Sequence, residues 1–95
     1  MSVYMIAAVT ILDSEQYKVY EESGAASLQG YEVEALAIGQ PKLVEGTVPS
    51  QRVVLLKFKD QETFDRWRAS PEYAAARPIR HATAETAFIF TLDSL

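Results

Sequence analysis

The sequence predicts an α+β fold in which helices cover one face of an antiparallel β-sheet. Three observations support this prediction. Stretches that alternate apolar and polar residues, as half-buried strands do, are separated by stretches that carry helix-start residues. Two other stretches, rich in branched and aromatic residues, are apolar on both of their faces. The chain of 95 residues has the size of one domain, so we expect residues 1–95 to fold as a single unit.

The first part of the chain predicts a strand, a helix and a second strand. Residues 4–12 are dense in Ile, Val, Thr and Ala and predict the first strand. Asp13, with Gln16 three residues later, forms a weak capping-box pattern that opens the helix. We expect this helix to end near Gly30, because glycine is a common helix stop. Residues 31–39 alternate with a period of two and predict a half-exposed strand.

The middle of the chain predicts a β-hairpin. Residues 42–46 (KLVEG) and residues 51–58 (QRVVLLKF) are the two predicted strands, and the turn formers between them include Pro49. If the hairpin is symmetric about this turn, Glu45 and Arg52 face each other on the same side of the sheet.

The last third of the chain predicts two helices and a final strand. Asp60 is the expected N-cap of the second helix. Ser70 follows as the N-cap of a third helix, with Pro71 at its first position. Pro78 is expected to limit or kink that helix before residues 86–92 (TAFIFTL) form the last strand.

The predicted element order β-α-β-β-β-α-α-β becomes βαββαβ when the short middle strands and the divided helix are merged. This is the ferredoxin-like arrangement. Val53 and Leu55 point away from Val54, Leu56 and Phe58, and Phe88 and Phe90 share one face of the last strand. Helices can cover only one face of the sheet. We therefore expect a homodimer in which a second copy covers the other face, which gives a dimeric α+β barrel.

Composition argues against several classes of partner. The 13 acidic and 9 basic side chains give a net charge of −4, which disfavours nucleic acid. The chain has no cysteine, so it carries no disulfide and no thiolate metal site. Its apolar start lacks the basic residues of a leader peptide and is too short to span a bilayer. We expect a cytoplasmic protein that binds neither nucleic acid nor membrane.

Several strings in this chain resemble one protein family. They are LVEG, RVVLLKF, FDRWRASPEY and the arginine at position 80. They are similar to the small bacterial family called domain of unknown function thirteen-thirty. The resemblance covers nearly the whole chain and implies a dimeric α+β barrel. That superfamily also holds cofactor-free monooxygenases, muconolactone isomerase and relatives of chlorite dismutase. The sequence departs from the family at residues 29–31, which read Gln-Gly-Tyr where members commonly carry a Gly-Gly-Arg-like stretch.

Three residues are candidates for catalysis. Arg52 can bind a carboxylate or enolate oxygen, and Glu45 opposite it can orient the arginine or move a proton. The alternative is a structural ion pair that holds the hairpin in register. His81 is the only histidine and a candidate base beside Arg80, and its alternative role is a helix C-terminal or surface group.

Four residues are candidates for substrate binding in a pocket between the helices and the sheet. Tyr20, Trp67 and Tyr73 lie on inner helix faces, where they also make good core residues, and Arg80 adds a polar group. The sequence predicts no metal site and no cofactor, because one histidine with one nearby acid is too few ligands. We expect a small-molecule-binding protein or a cofactor-free enzyme of isomerase, lyase or oxygenase type, acting on a small organic acid or ring compound. The alternative is a non-catalytic homodimeric binding or assembly module.

Overall fold

The structure, a computed structural model that describes residues 1–95, contains four strands and three helices. Their bounds, in chain order, are β1 Val3–Ile11, α1 Ser14–Ser27, β2 Val33–Gly39, β3 Arg52–Phe58, α2 Gln61–Arg68, α3 Pro71–Thr83 and β4 Ala84–Asp93. The strands form one sheet in the order β2-β3-β1-β4, and every neighbouring pair is antiparallel. The predicted ferredoxin-like α+β fold is therefore confirmed. None of the three helices has the length and apolar character needed to cross a membrane.

All three helices begin at the capping residues that the sequence predicts. The carboxylates of Asp13 and Asp60 each accept the backbone N–H three residues later, at 3.1 and 2.8 Å. The Ser70 hydroxyl accepts an N–H in the same way at 3.2 Å, and Pro71 occupies the first position of α3. Each cap satisfies one of the donors that a helix start leaves unpaired.

The predicted strand at residues 42–46 is wrong, because the chain between β2 and β3 is an irregular loop. Strand β3 already pairs with β2 along one edge and with β1 along the other, so neither edge can accept a further strand. The loop therefore lies outside the sheet, and Val44 within it is 97% exposed. Its end is held to β1 by two hydrogen bonds, from Thr10 Oγ1 to the Pro49 carbonyl at 3.3 Å and from Gln51 Nε2 to the Ile11 carbonyl at 3.0 Å.

Of the two effects predicted for Pro78, the helix limit is wrong, since α3 continues to Thr83, and the kink stays a prediction. Proline has no backbone N–H, so the Ala74 carbonyl lacks the helical hydrogen bond that residue 78 would otherwise donate to it. Both residues are exposed, so the missing bond lies on the solvent side of the helix. Helix α3 ends where the Thr83 hydroxyl donates to the Ile79 carbonyl at 2.7 Å.

The hydrophobic core lies between the helices and one face of the sheet. Phe64 and Trp67 of α2 pack on Phe58 of β3, with ring centroids 5.2 and 5.5 Å away, as expected for residues on an inner helix face. The buried members of the core are Val3, Met5, Ala7, Leu56, Phe58, Phe64, Trp67, Tyr73 and Ala76. Both central strands therefore present one apolar face to the helices.

The opposite face of the sheet has no helix on it. We call it the open face, and its large side chains are Tyr4, Ile6, Val53, Leu55, Phe88, Phe90 and Leu92, which the strand registers place side by side. Phe88 and Phe90 stack with centroids 5.3 Å apart, yet they are 38% and 45% exposed. A contiguous apolar patch of this kind is unusual on an isolated domain.

Candidate functional site

A cavity of about 180 Å³ lies between the sheet and the helices α1 and α3. Its wall is mostly hydrophobic and is built from the helix-facing residues of β1, β2, β3 and β4 together with the inner face of α1. Glu21, Arg68 and Arg80 are the charged residues in the wall. An apolar cavity of about 150 Å³ is large enough to hold benzene. This cavity therefore has room for one ring with a small substituent.

Two tyrosines and one arginine form a hydrogen-bonded chain at the cavity wall. Tyr73 and Arg80 lie seven residues apart on α3, which puts them on the same helix face two turns apart. The Arg80 Nη1 donates to the Tyr73 hydroxyl. The Tyr73 hydroxyl in turn lies 3.0 Å from the hydroxyl of Tyr20 on α1. The guanidinium carbon of Arg80 also lies 5.9 Å from the centre of the Tyr20 ring.

Arg80 is a buried cation without an acidic partner. Arg80 is only 3% exposed, and no carboxylate lies within ion-pair distance of its guanidinium group. Its Nη2 lies 3.1 Å from Nε2 of His81, and its buried Nε has no hydrogen-bond partner. Burying an unpaired charge costs several kcal/mol, so the surrounding fold holds Arg80 there at the expense of stability.

Burial raises the pKa of two tyrosines of the cavity, Tyr17 and Tyr20. It raises the pKa of Tyr20 well above the ordinary value, and the neighbouring Tyr73 raises it further. Burial, assisted by the nearby Glu21 carboxylate, likewise raises the pKa of Tyr17. Desolvation disfavours a phenolate, so Tyr17 and Tyr20 are neutral hydroxyls at physiological pH. Such hydroxyls can both donate and accept hydrogen bonds.

Trp67 forms an apolar part of the cavity wall and has its own polar atom satisfied elsewhere. The indole Nε1 donates to the Ser27 hydroxyl at 2.9 Å, and that hydroxyl donates to the Gly24 carbonyl at 2.6 Å. The indole ring packs on Tyr73 with centroids 4.3 Å apart. Trp67 can therefore contact a ligand through its ring face only, since its N–H donor is already used.

The structure brings together the four residues predicted to bind substrate. Tyr20, Trp67, Tyr73 and Arg80 all line the same cavity. Their roles toward a ligand stay a prediction.

The structure does not bring together the three residues predicted to be catalytic. Glu45 lies exposed in the loop before β3, so the predicted pairing of Glu45 with Arg52 is wrong. Arg52 Nη1 instead lies 3.4 Å from Oε2 of Glu21. His81 is exposed and meets the site only through its contact with Arg80. A neutral Nε2 must accept in this contact, because arginine can only donate.

Sequence reasoning missed two charged residues of the cavity wall, Glu21 and Arg68. Glu21 is four residues after Tyr17 and three before Gly24, which puts it on the cavity side of α1. This helical spacing was the available signal. Arg68 lies over Tyr73, with its guanidinium carbon 5.5 Å from the ring centre. No local pattern distinguishes Arg68 from the other arginines of α2 and α3.

The fold and the site define a ferredoxin-like α+β protein with a small, largely apolar pocket and a buried cation in its wall. The chain belongs to the family described as domain of unknown function DUF1330, whose sequence profile matches residues 2–92. The family resemblance found in the sequence is thereby confirmed. No curated protein sequence matches this chain.

Solved structures share the fold at low sequence identity. A protein of unknown function from Rhodopseudomonas palustris superposes with a TM-score of 0.82 at 16% identity, covering 99% of this chain and 82% of that one. SnoaB, a cofactor-independent oxygenase from Streptomyces nogalater, gives 0.73 at 14% identity, covering 99% and 93%. A dimeric protein of unknown function with a ferredoxin-like fold from Bacteroides fragilis gives 0.63 at 17%, covering 98% and 96%. Similarity at this level concerns the fold, because one fold hosts many functions.

Proposed function

We propose that this protein binds a small ring compound bearing an acidic oxygen in the cavity between its helices and its sheet. The observation that carries the proposal is the guanidinium of Arg80, which is buried in the wall of a mostly apolar cavity without a carboxylate partner. An acidic oxygen on a ligand supplies the charge and the acceptor that the protein itself does not provide. A ring fits the volume and the apolar lining.

The proposed chemistry, where the protein turns its ligand over, is a cofactor-free isomerase, lyase or oxygenase reaction on an activated ring or enol, with dioxygen as the co-substrate in the oxygenase case. Arg80 takes the charge-stabilising role predicted for Arg52, because Arg80 lines the cavity and Arg52 is paired with Glu21. Tyr20, whose hydroxyl is neutral, is the proposed proton donor. The fold shared with a protein named a cofactor-independent oxygenase supports this class of chemistry. Simple binding without turnover is the alternative, and product analysis after incubation with ligand separates the two.

We also propose that the protein is a homodimer joined through its open face. Phe88, Phe90 and Leu92 leave a large apolar area exposed in one chain, and burying such area stabilises by roughly 25 cal/mol per Å². The two-fold pairing of one sheet on another covers this face and leaves the cavity on the helix side of each chain. A fold neighbour described as dimeric supports the proposal. A solution mass of one chain at micromolar concentration would refute it.

A thermal-shift comparison of four compounds tests the binding proposal. Phenol and benzoate combine a ring with an acidic oxygen, cyclohexanol has a ring without one, and acetate has the acidic oxygen without a ring. We expect the first two to raise the melting temperature and the last two to leave it unchanged. A ligand at one hundred times its dissociation constant adds about 2.7 kcal/mol to the free energy of unfolding.

A cavity-filling variant locates the binding site. A Cβ at Gly24 would lie 3.8 Å from Cζ of Tyr20, an ordinary contact, and Gly24 lines the cavity. Gly24→Leu should therefore fill the cavity and abolish the ligand-induced shift. Ala26→Leu is the matched control, because Ala26 is exposed on the same helix. Equal shifts in both variants would contradict the proposed site. No shift with any compound would favour a non-catalytic assembly module, in which the tyrosines and Arg80 only join α1 to α3.

A further inference from the structure

One hydroxyl hydrogen in the hydrogen-bond chain at the cavity wall has no acceptor. Tyr20 and Tyr73 carry two hydroxyl hydrogens, and their oxygens lie 3.0 Å apart, so one hydrogen serves the bond between them. Whichever tyrosine donates, the other hydroxyl hydrogen has no acceptor. Arg80 cannot supply one, because a guanidinium only donates. Its Nε adds a second unpaired donor.

The charge at this end of the cavity is also uncompensated. Arg80 carries a full positive charge at 3% exposure without a carboxylate partner. Arg68 adds a second positive group to the wall. Glu21 is the acid in the wall, and its carboxylate is paired with Arg52 at 3.4 Å. The cavity wall therefore carries one free hydroxyl hydrogen and positive charge.

We infer that the cavity binds a weakly acidic ring hydroxyl, a phenol or an enol, as its anion, with the oxygen held by Arg80 and the Tyr20–Tyr73 pair. This inference rests on the proposed binding function and names its substrate class. A neutral hydroxyl brings a hydrogen of its own into a site that already has surplus donors, whereas a phenolate or enolate oxygen only accepts. Hydrogen bonds to an ionised acceptor are about twice as strong as those between neutral groups.

Binding must then be linked to proton release. A ligand that is neutral in solution loses its hydroxyl proton to the solvent when it binds as the anion, and no group of the protein has to accept that proton. Tyr20 stays protonated, since burial raises the pKa of its hydroxyl. The pKa of the bound ligand should therefore be lower than that of the free ligand.

The probe 4-nitrophenol tests this inference, because its phenolate absorbs visible light and its neutral form does not. We expect the bound probe to titrate at least one pH unit below the free probe, which corresponds to a tenfold or greater preference for the phenolate. Arg80→Met should abolish the shift and Tyr20→Phe should reduce it. Arg66→Met is the matched control, because Arg66 is an exposed arginine of α2 that does not line the cavity. It should retain the full shift.

The outcomes distinguish this inference from the binding function on which it rests. A probe that displaces phenol from the protein yet titrates like the free probe would overturn the anionic state and leave the binding proposal intact. A shift that survives in Arg80→Met would overturn the assignment of the oxygen to Arg80. If that variant does not fold, Tyr20→Phe tests whether the oxygen lies at the Tyr20–Tyr73 pair, and an undiminished shift in it would overturn the proposed position of the oxygen. Absence of binding by both 4-nitrophenol and phenol would overturn the binding proposal itself.

Discussion

Replacing Arg80 with methionine separates a functional role of this residue from a structural one. Methionine fills a similar volume with an unbranched apolar chain and leaves the Tyr73 hydroxyl bonded to Tyr20 at 3.0 Å. The change therefore removes a buried charge without leaving a new unpaired polar group. If Arg80 is present for its ligand, stability should change little.

The expected change in the free energy of unfolding follows from the contacts that Arg80→Met loses and from the desolvation penalty that it removes. The hydrogen bond from Arg80 to Tyr73 is charge-assisted and contributes about 1.5 to 3 kcal/mol. The contact of the guanidinium with the Tyr20 ring adds about 0.5 to 2 kcal/mol. Against these losses, the variant no longer desolvates an ion, which costs several kcal/mol. We expect the free energy of unfolding to stay within about 1.5 kcal/mol of the native value.

Urea unfolding followed by tryptophan fluorescence measures this change, because the single tryptophan, Trp67, is buried in the core. Tyr73→Phe is the informative comparison. It keeps the buried charge of Arg80 but removes the hydroxyl that accepts from it, so it should cost about 1 to 3 kcal/mol. A loss above about 3 kcal/mol for Arg80→Met, the size found when a buried ion pair is broken, would show that Arg80 is structural.

Four further predictions concern stability and assembly. Gly24→Ala should raise the free energy of unfolding by about 0.5 to 1 kcal/mol in thermal melts, because Gly24 lies inside α1 and its space admits a methyl group. Hydrogen bonds from Thr63 lower the pKa of Asp60 below its ordinary value of 3.8. The carboxylate therefore stabilises the fold above pH 3.8, and this stabilisation is lost as the pH falls through the lower pKa of the folded state. Asp60→Asn should make the free energy of unfolding depend less on pH in the acid range. Burial raises the pKa of Tyr20 above 10.0, so stability should fall as the pH rises beyond 10 and should fall less in Tyr20→Phe, followed by circular dichroism. Phe90→Glu, which puts a charge on the open face, should halve the mass measured by analytical ultracentrifugation, and an unchanged mass would contradict the proposed interface.

Local patterns were sufficient to predict most of the elements. Asp13, Asp60 and Ser70 open the three helices, because an N-cap depends on the few residues that follow it. The strand that carries Val54 and Leu56 was equally clear from its run of branched and aromatic residues. These signals depend on neighbours in the chain, so they do not require knowledge of the tertiary structure.

The failures came where the answer depended on which elements are neighbours in space. Residues 42–46 have a strand-like composition, yet β3 has no free edge for them, and this followed only from the strand order. The loss of that strand separated Glu45 from Arg52 and left Arg52 to pair with Glu21. The predicted register of a hairpin is therefore correct only if the sheet has a free edge for both of its strands.

The sequence by itself determined the ferredoxin-like order of elements, the inner faces of the helices and the apolar character of both sheet faces. Periodicity carries that information, because it reports which side chains share one face of one element. Only the tertiary structure decided the site. Tyr20 and Tyr73 are 53 residues apart in the chain and meet because α1 and α3 lie side by side. The same packing buries Arg80 without a carboxylate, and burial of a charge depends on every group around it, which no sequence pattern specifies.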